Sequence, residues 1–157
     1  MIQKAYTETS IGQCHYRFRE GEGTPIVFLH QTPSSSLMYE EIIQLMPQNT
    51  CIAIDTPGFG MSDDISGNPD VEDYGQSIVE ALINIKISDF HLLGHHSGAS
   101  IALHLENEFN HMVNSLTLIG AFLATKEEKE VMKNQTGLDW SPKEDGTHLL
   151  NAWKLAG

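Results

Sequence analysis

A chain of 157 residues, 40% of them apolar and with a formal net charge of −12, is long enough for one domain with a real core and too apolar for a disordered segment. No lysine or arginine lies between Arg19 and Lys86, so the surface is expected to repel phosphate backbones and nucleic acid is not an expected partner. No apolar run reaches membrane-span length, the N-terminus has no signal-peptide pattern, and Cys14 and Cys51 lack metal-ligand spacing, which together point to no membrane association, reduced thiols and the cytoplasm.

The first elements read as a hairpin, with strands over about 3–9 and 13–19 and a turn at Ser10-Ile11-Gly12. Residues 20–25 read as a loop. Ile26-Val27-Phe28-Leu29 is a continuous apolar run, as expected of a strand buried on both faces. After the polar loop His30 to Ser36, a helix is expected over about 37–46. Its apolar stripe is Leu37, Met38, Ile42, Leu45 and Met46, and Pro47 closes it.

Cys51 to Ile54 is a second buried strand, followed by the turn-rich segment Asp55-Thr56-Pro57-Gly58-Phe59-Gly60-Met61-Ser62. A helix is expected over about 71–85, with Ile78, Leu82 and Ile85 at helical spacing. Phe90-His91-Leu92-Leu93 is another strand, and the small residues of Ala99-Ser100-Ile101-Ala102 suit a helix packed hard on a sheet.

Between them stands Gly94-His95-His96-Ser97-Gly98. Strand, glycine-flanked turn and helix make up the context of the nucleophile elbow, G-x-S-x-G, where a sharp turn lifts one side chain above a sheet. The glycines are needed because the turn leaves no room for Cβ atoms. In that frame His96, not a serine, takes the nucleophile position, and Ser97 falls one residue late.

Leu116 to Ile119 is a further strand. A hairpin followed by alternating strands and helices predicts an α/β fold with a mostly parallel sheet. After Gly120 the strand pattern does not return. Lys126 to Glu130 is a charged helical start, while Trp140, Pro142 and Trp153 sit in segments without strand character. This tail reads as a cap above the sheet, giving an expected division into residues 1–120 and 121–157.

Three segments at the ends of successive strands carry a family resemblance: Leu29-His30-Gln31-Thr32-Pro33, Asp55 to Ser62, and Gly94 to Gly98. In this order and context the chain resembles the N-terminal part of an α/β-hydrolase-fold protein. The resemblance implies six of the family's usual eight strands, in the order 1-2-4-3-5-6, and the start of a helical lid. It implies a small-molecule substrate and no cofactor or metal. The backbone N–H groups of Gln31 and Ser97 match the donors of the oxyanion hole, with Gln31 standing where glycine is usual. His30 and Phe59 match positions beside the pocket, His30 as a brace for its loop, and Asp55 matches the anchor of the turn that follows it. His15, His91, His104 and His111 read as ordinary. His30, His95 and His96 are not read as a metal site, because consecutive histidines rarely converge on one ion.

His96 is the expected catalytic residue. A neutral imidazole can attack an activated acyl group or act as general base near neutral pH. The family's catalytic acid and general-base histidine have no counterparts in these residues, so the chain reads as a fragment or truncated form. The expected function is hydrolysis of a small organic molecule by the complete protein, with this portion inactive alone. The alternative is a non-catalytic binder or inactive remnant. The apolar strand 116–119 is expected to leave an edge through which two copies could pair as a homodimer.

Overall fold

The computed structural model describes residues 1–121, 125, 127–128, 131, 141 and 143–156. It divides into two compact units, Met1–Phe122 and Leu123–Gly157. The first unit is built on a six-stranded sheet whose order, β1-β2-β4-β3-β5-β6, is the one expected. The strands are β1 (Gln3–Glu8), β2 (Gln13–Arg19), β3 (Glu22–Leu29), β4 (Asn49–Ile54), β5 (Phe90–His95) and β6 (Val113–Ile119). β1 and β2 form the hairpin, and β2 joins β4 antiparallel. The pairs β3–β4, β3–β5 and β5–β6 are parallel.

The helices of this unit are α1 (Glu40–Leu45), α2 (Val71–Asn84) and α3 (Ser97–Glu108), with a 3-10 turn at Ser36–Tyr39 leading into α1. Strand side chains alternate between faces. Val27, Leu29, Ile52, Ile54 and Leu92 share one buried cluster with Ile78 and Leu82 of α2 and Ile101 and Leu105 of α3. Phe28, Cys51 and Ala53 pack on the other face with Tyr39 and Ile43. Residues 26–29 of β3 and 51–54 of β4 are apolar throughout because both faces are covered there. α2 starts on a reciprocal capping box in which the Asp70 carboxylate accepts from the Asp73 N–H and the Asp73 carboxylate from the Asp70 N–H.

Two local expectations are corrected. The segment 20–25 is not all loop, since β3 begins at Glu22. The Glu22 N–H donates to the Gln48 carbonyl at 2.7 Å, and Glu22 pairs with Asn49 ahead of a register shift at Ile26. Backbone pairing with the start of β4 therefore overrides the turn-like composition. The second correction concerns the apolar stripe at 37–46. Leu37, Met38, Ile42 and Leu45 are 56%, 36%, 45% and 82% exposed, whereas Tyr39 and Ile43 are buried. The 3-10 turn before α1 changes the angular phase, so the core receives Tyr39 and Ile43 instead.

Tyr39 is more than filler. Its ring lies 5.0 Å from that of Phe28, and its hydroxyl donates to the Leu29 carbonyl at 2.8 Å. Burial pushes its phenol up to about 12. In Tyr39→Phe the buried Leu29 carbonyl loses this donor, and urea denaturation should read a loss of about 1 kcal/mol.

In the second unit, Thr125 and Glu128 cap each other reciprocally, and residues 127, 128 and 131 are helical. This agrees with the charged helical start. Trp153 lies in a helix, α4 (Thr147–Ala156), and is 80% exposed. Trp140 and Pro142 fall outside the described residues. No helix among the described residues is long and apolar enough to cross a membrane.

Candidate active site

β5 runs into α3 through a single residue, His96, with φ 48° and ψ −111°. A positive φ is costly for a side chain with a Cβ and persists only where surrounding packing holds it. The flanking glycines show how it is held. A Cβ at Gly94 would come 2.7 Å from the Ala99 Cα and 2.8 Å from the Ala102 Cβ, and one at Gly98 would come 2.6 Å from the His30 carbonyl oxygen. Without Cβ atoms there, α3 packs directly on the ends of β5 and β3. The turn compressed between them projects His96 outward, and the residue is exposed.

The end of β6 fixes the other side. The His96 N–H donates to the Ile119 carbonyl at 2.9 Å, one step beyond the His95–Ile119 pair. The imidazole then lies over Gly120, whose φ is 59°. A Cβ at Gly120 would stand 2.8 Å from the ring's Cε1 and 3.0 Å from its Nε2. The His95 ring is 4.5 Å away, centroid to centroid, and its buried Nδ1 has no hydrogen-bond partner among the described residues.

Ser97 faces elsewhere. Its hydroxyl accepts from the Thr32 N–H at 2.7 Å and donates to the Thr32 hydroxyl at 3.0 Å. The hydroxyl's hydrogen and one of its lone pairs join the loop after β3 to the start of α3. The backbone N–H groups of Gln31 and Ser97 donate to no group among the described residues. The Thr32 tie keeps the two loops that carry them side by side.

His30 is buried beneath the loop. Its Nε2 accepts from the Thr56 N–H at 3.0 Å, which leaves Nδ1 to donate to the Gln31 carbonyl at 2.9 Å. The ring is thus a neutral strut between the loops after β3 and β4. Burial holds its pKa below the ordinary 6.5, against the Gln31 hydrogen bond and the Asp55 charge, which favour protonation. Phe59 meets His30 edge-on at 6.0 Å. It lines a groove of 460 Å³ with Pro33, Ser34, Ser35, Leu37, Met38 and Gly60.

Asp55 ties the same loops more tightly. Its carboxylate accepts the Ser36 N–H at 2.5 Å and the Met61 N–H at 2.9 Å, and pairs with His15 Nδ1 at 2.7 Å. Burial alone would raise its pKa, but these hydrogen bonds outweigh burial and hold the carboxyl below 3.8. Asp55 therefore anchors the loop before α1 as well as the turn that follows it.

Sequence reasoning did not single out His15, which is fully buried with its Nε2 unpartnered among the described residues. Nor did it foresee Gly120 as the seat of the His96 ring. Pairing across 40 residues leaves no local pattern, although a histidine amid strand-forming residues is the one available signal. Among the described residues no group of three metal-ligating side chains comes together.

Comparison with known proteins gives this geometry a context. The sequence profile described as the alpha/beta hydrolase fold matches residues 24–141. Haloalkane dehalogenase 2 of Mycobacterium tuberculosis is 29% identical over 104 residues, 65% of this chain and 36% of that protein. The 2-(acetamidomethylene)succinate hydrolase of Mesorhizobium japonicum is 29% identical over 111 residues, 69% of this chain and 40% of the other. The crystal structure of haloalkane dehalogenase DbeA from Bradyrhizobium elkani superposes with a TM-score of 0.74 at 21% identity, covering 96% of this chain and 49% of that one. The chain spans less than half the length of these relatives.

Proposed function

From the premise that the chain belongs to the alpha/beta hydrolase fold family, we propose that it is the sheet-bearing portion of a hydrolase for a small organic molecule, with His96 at the nucleophile position. In this proposal residues 1–120 belong to the hydrolase core and 121–157 begin a helical lid. The observation that carries the reading is the conformation of His96, which occupies a strained turn between β5 and α3 with its ring free of hydrogen bonds among the described residues. Strain of this kind is expensive and concentrates at functional positions.

The chemistry follows from the neighbours. An unprotonated ring nitrogen of His96 would attack a carbonyl carbon, forming an N–C bond as the carbonyl π electrons move onto oxygen. The Gln31 and Ser97 N–H groups would stabilise that oxygen. Collapse would re-form the carbonyl and expel the leaving group as an anion, leaving an acyl-imidazolium. The proton on the other ring nitrogen passes by way of solvent to the leaving group, and water then hydrolyses the acyl-imidazole to free acid and imidazole. The acidic surface favours uncharged or cationic substrates over anionic ones. Cytoplasmic residence is part of the same proposal. A non-catalytic binding role is the second reading, and one observation favours it: no carboxylate among the described residues hydrogen-bonds to His96.

Two measurements separate these readings. Treatment with p-nitrophenyl acetate followed by peptide mass spectrometry should find acetyl on His96, and loss of that adduct in His96→Ala would confirm its origin. Absence of any adduct favours the binder. A serine-directed fluorophosphonate should leave the native chain unlabelled. Stoichiometric labelling of Ser97 in the native chain would remove His96 from the nucleophile position.

A further inference from the structure

The groove lined by Phe59 has no role in the chemistry above, yet it is a built feature. Ser36, at the end of one wall, is held by the Asp55 carboxylate through its N–H. The other wall, Phe59 and Gly60, stands on His30 and on the same carboxylate, with the Phe59 N–H bonded to the Thr56 carbonyl at 2.9 Å. Its position follows from the sheet order. β3 separates β4 from β5, so the loop after β4 that carries Phe59 and the turn after β5 that carries His96 stand on opposite sides of the Gln31 loop.

Its lining is apolar and uncharged: Pro33, Leu37, Met38 and Phe59, with Ser34, Ser35 and Gly60. The serine hydroxyls are already engaged, Ser35 accepting from the Leu37 N–H at 3.3 Å and Ser34 donating to the Met38 sulfur at 3.6 Å. Leu37 and Met38 are the side chains that the 3-10 turn keeps out of the core. No lysine or arginine lies between Arg19 and Lys86 to neutralise an anion, while Glu40, Glu41, Asp63 and Asp64 stand close in sequence on either side. A volume of 460 Å³ falls in the range of small-molecule sites.

We propose that this groove is a subsite for an uncharged aryl or short alkyl group of the substrate, lying across the Gln31 loop from His96. Phe59 supplies an aromatic edge and Met38 a polarisable sulfur, both of which favour an aryl ring. The link to substrate rests on the hydrolase reading, but occupancy of the groove does not.

The test is therefore a binding measurement. Fluorine NMR would follow titration of the 157-residue chain with 4-fluoroacetophenone, a neutral aryl ketone, and with 4-fluorobenzoate, its anionic counterpart. Saturable binding of the ketone and none of the benzoate is expected. Met38→Lys and Leu37→Lys place a cation at exposed positions that the fold does not use. Each should weaken the ketone by about tenfold or more and admit the benzoate. Ile83→Lys, in the separate groove formed by Ile83, Ile87 and Met112, should change neither. The proposal is overturned if the ketone does not saturate, if the benzoate binds the native chain equally well, or if Ile83→Lys abolishes binding while Met38→Lys does not. Ketone binding retained in His96→Ala, alongside a native chain that forms no acetyl adduct, would uphold the subsite and defeat the catalytic reading alone.

Discussion

Asp55→Asn should cost the protein about 3 kcal/mol, because a buried charged acceptor of several hydrogen bonds gives way to a group that leaves one of its donors unsatisfied. The asparagine carbonyl can still accept the Ser36 N–H. Its NH₂ group then faces the Met61 N–H, so two donors meet where donor and acceptor stood. His15, fully buried, loses its anion as well. Against a total stability of about 5–15 kcal/mol for a typical domain this is a large fraction. The urea midpoint should fall accordingly.

The pH dependence of stability separates Asp55 from His30. Asp55 has a folded pKa below 3.8, so its contribution is whole above that value. It is lost as the pH falls from 3.8 through the folded pKa, because the unfolded chain takes up the proton first. His30 has a folded pKa below 6.5 and is buried neutral, so stability also declines as the pH drops beneath 6.5. Asp55→Asn should abolish the lower of these two declines and keep the upper one. If the decline below pH 3.8 persists unchanged in the variant, Asp55 is not its source.

Gly98→Ala should be nearly as damaging although it adds a single methyl group. The new Cβ would fall 2.6 Å from the His30 carbonyl oxygen and 2.7 Å from the Leu29 carbonyl carbon. Both belong to backbone at the end of β3, which cannot rotate away as a side chain can. Relief requires α3 to withdraw from the sheet, and overpacking of this kind costs about 3 kcal/mol. The Ser97–Thr32 tie would stretch in the same movement and separate the Gln31 and Ser97 N–H groups. Acetylation of His96 should slow even under conditions where circular dichroism reports a folded chain. A variant as stable and as readily acetylated as the native chain would show that α3 does not need this close approach.

What the sequence disclosed was whatever is written locally. Buried strands appear as apolar runs such as Val27 to Leu29 and Cys51 to Ile54. The spacing of Gly94 and Gly98 carries a steric demand that the packing of α3 on β3 and β5 confirms. The strand order was legible only through the family resemblance that the three segments carry, since alternation of strands and helices alone is compatible with several orders. Features decided by tertiary contact were hidden. The stripe from Leu37 to Leu45 has helical spacing yet faces outward, since a 3-10 turn shifts its phase and Tyr39 finds the Leu29 carbonyl. The start of β3 at Glu22 depends on the backbone of β4. The bond between His15 and Asp55, and the seat of His96 on Gly120, join residues that no periodicity connects.

The His30 strut has a consequence for hydrogen exchange. Thr56 lies two residues past the end of β4, where an amide would ordinarily exchange at the rate of its loop. Its N–H instead points into a buried imidazole nitrogen, which water cannot reach unless the loops after β3 and β4 part. Deuterium should therefore enter the Thr56 amide as slowly as it enters the middle of β4, in step with opening of the sheet itself. Protection at that one amide would make it a reporter of whether both loops remain closed over the strand ends.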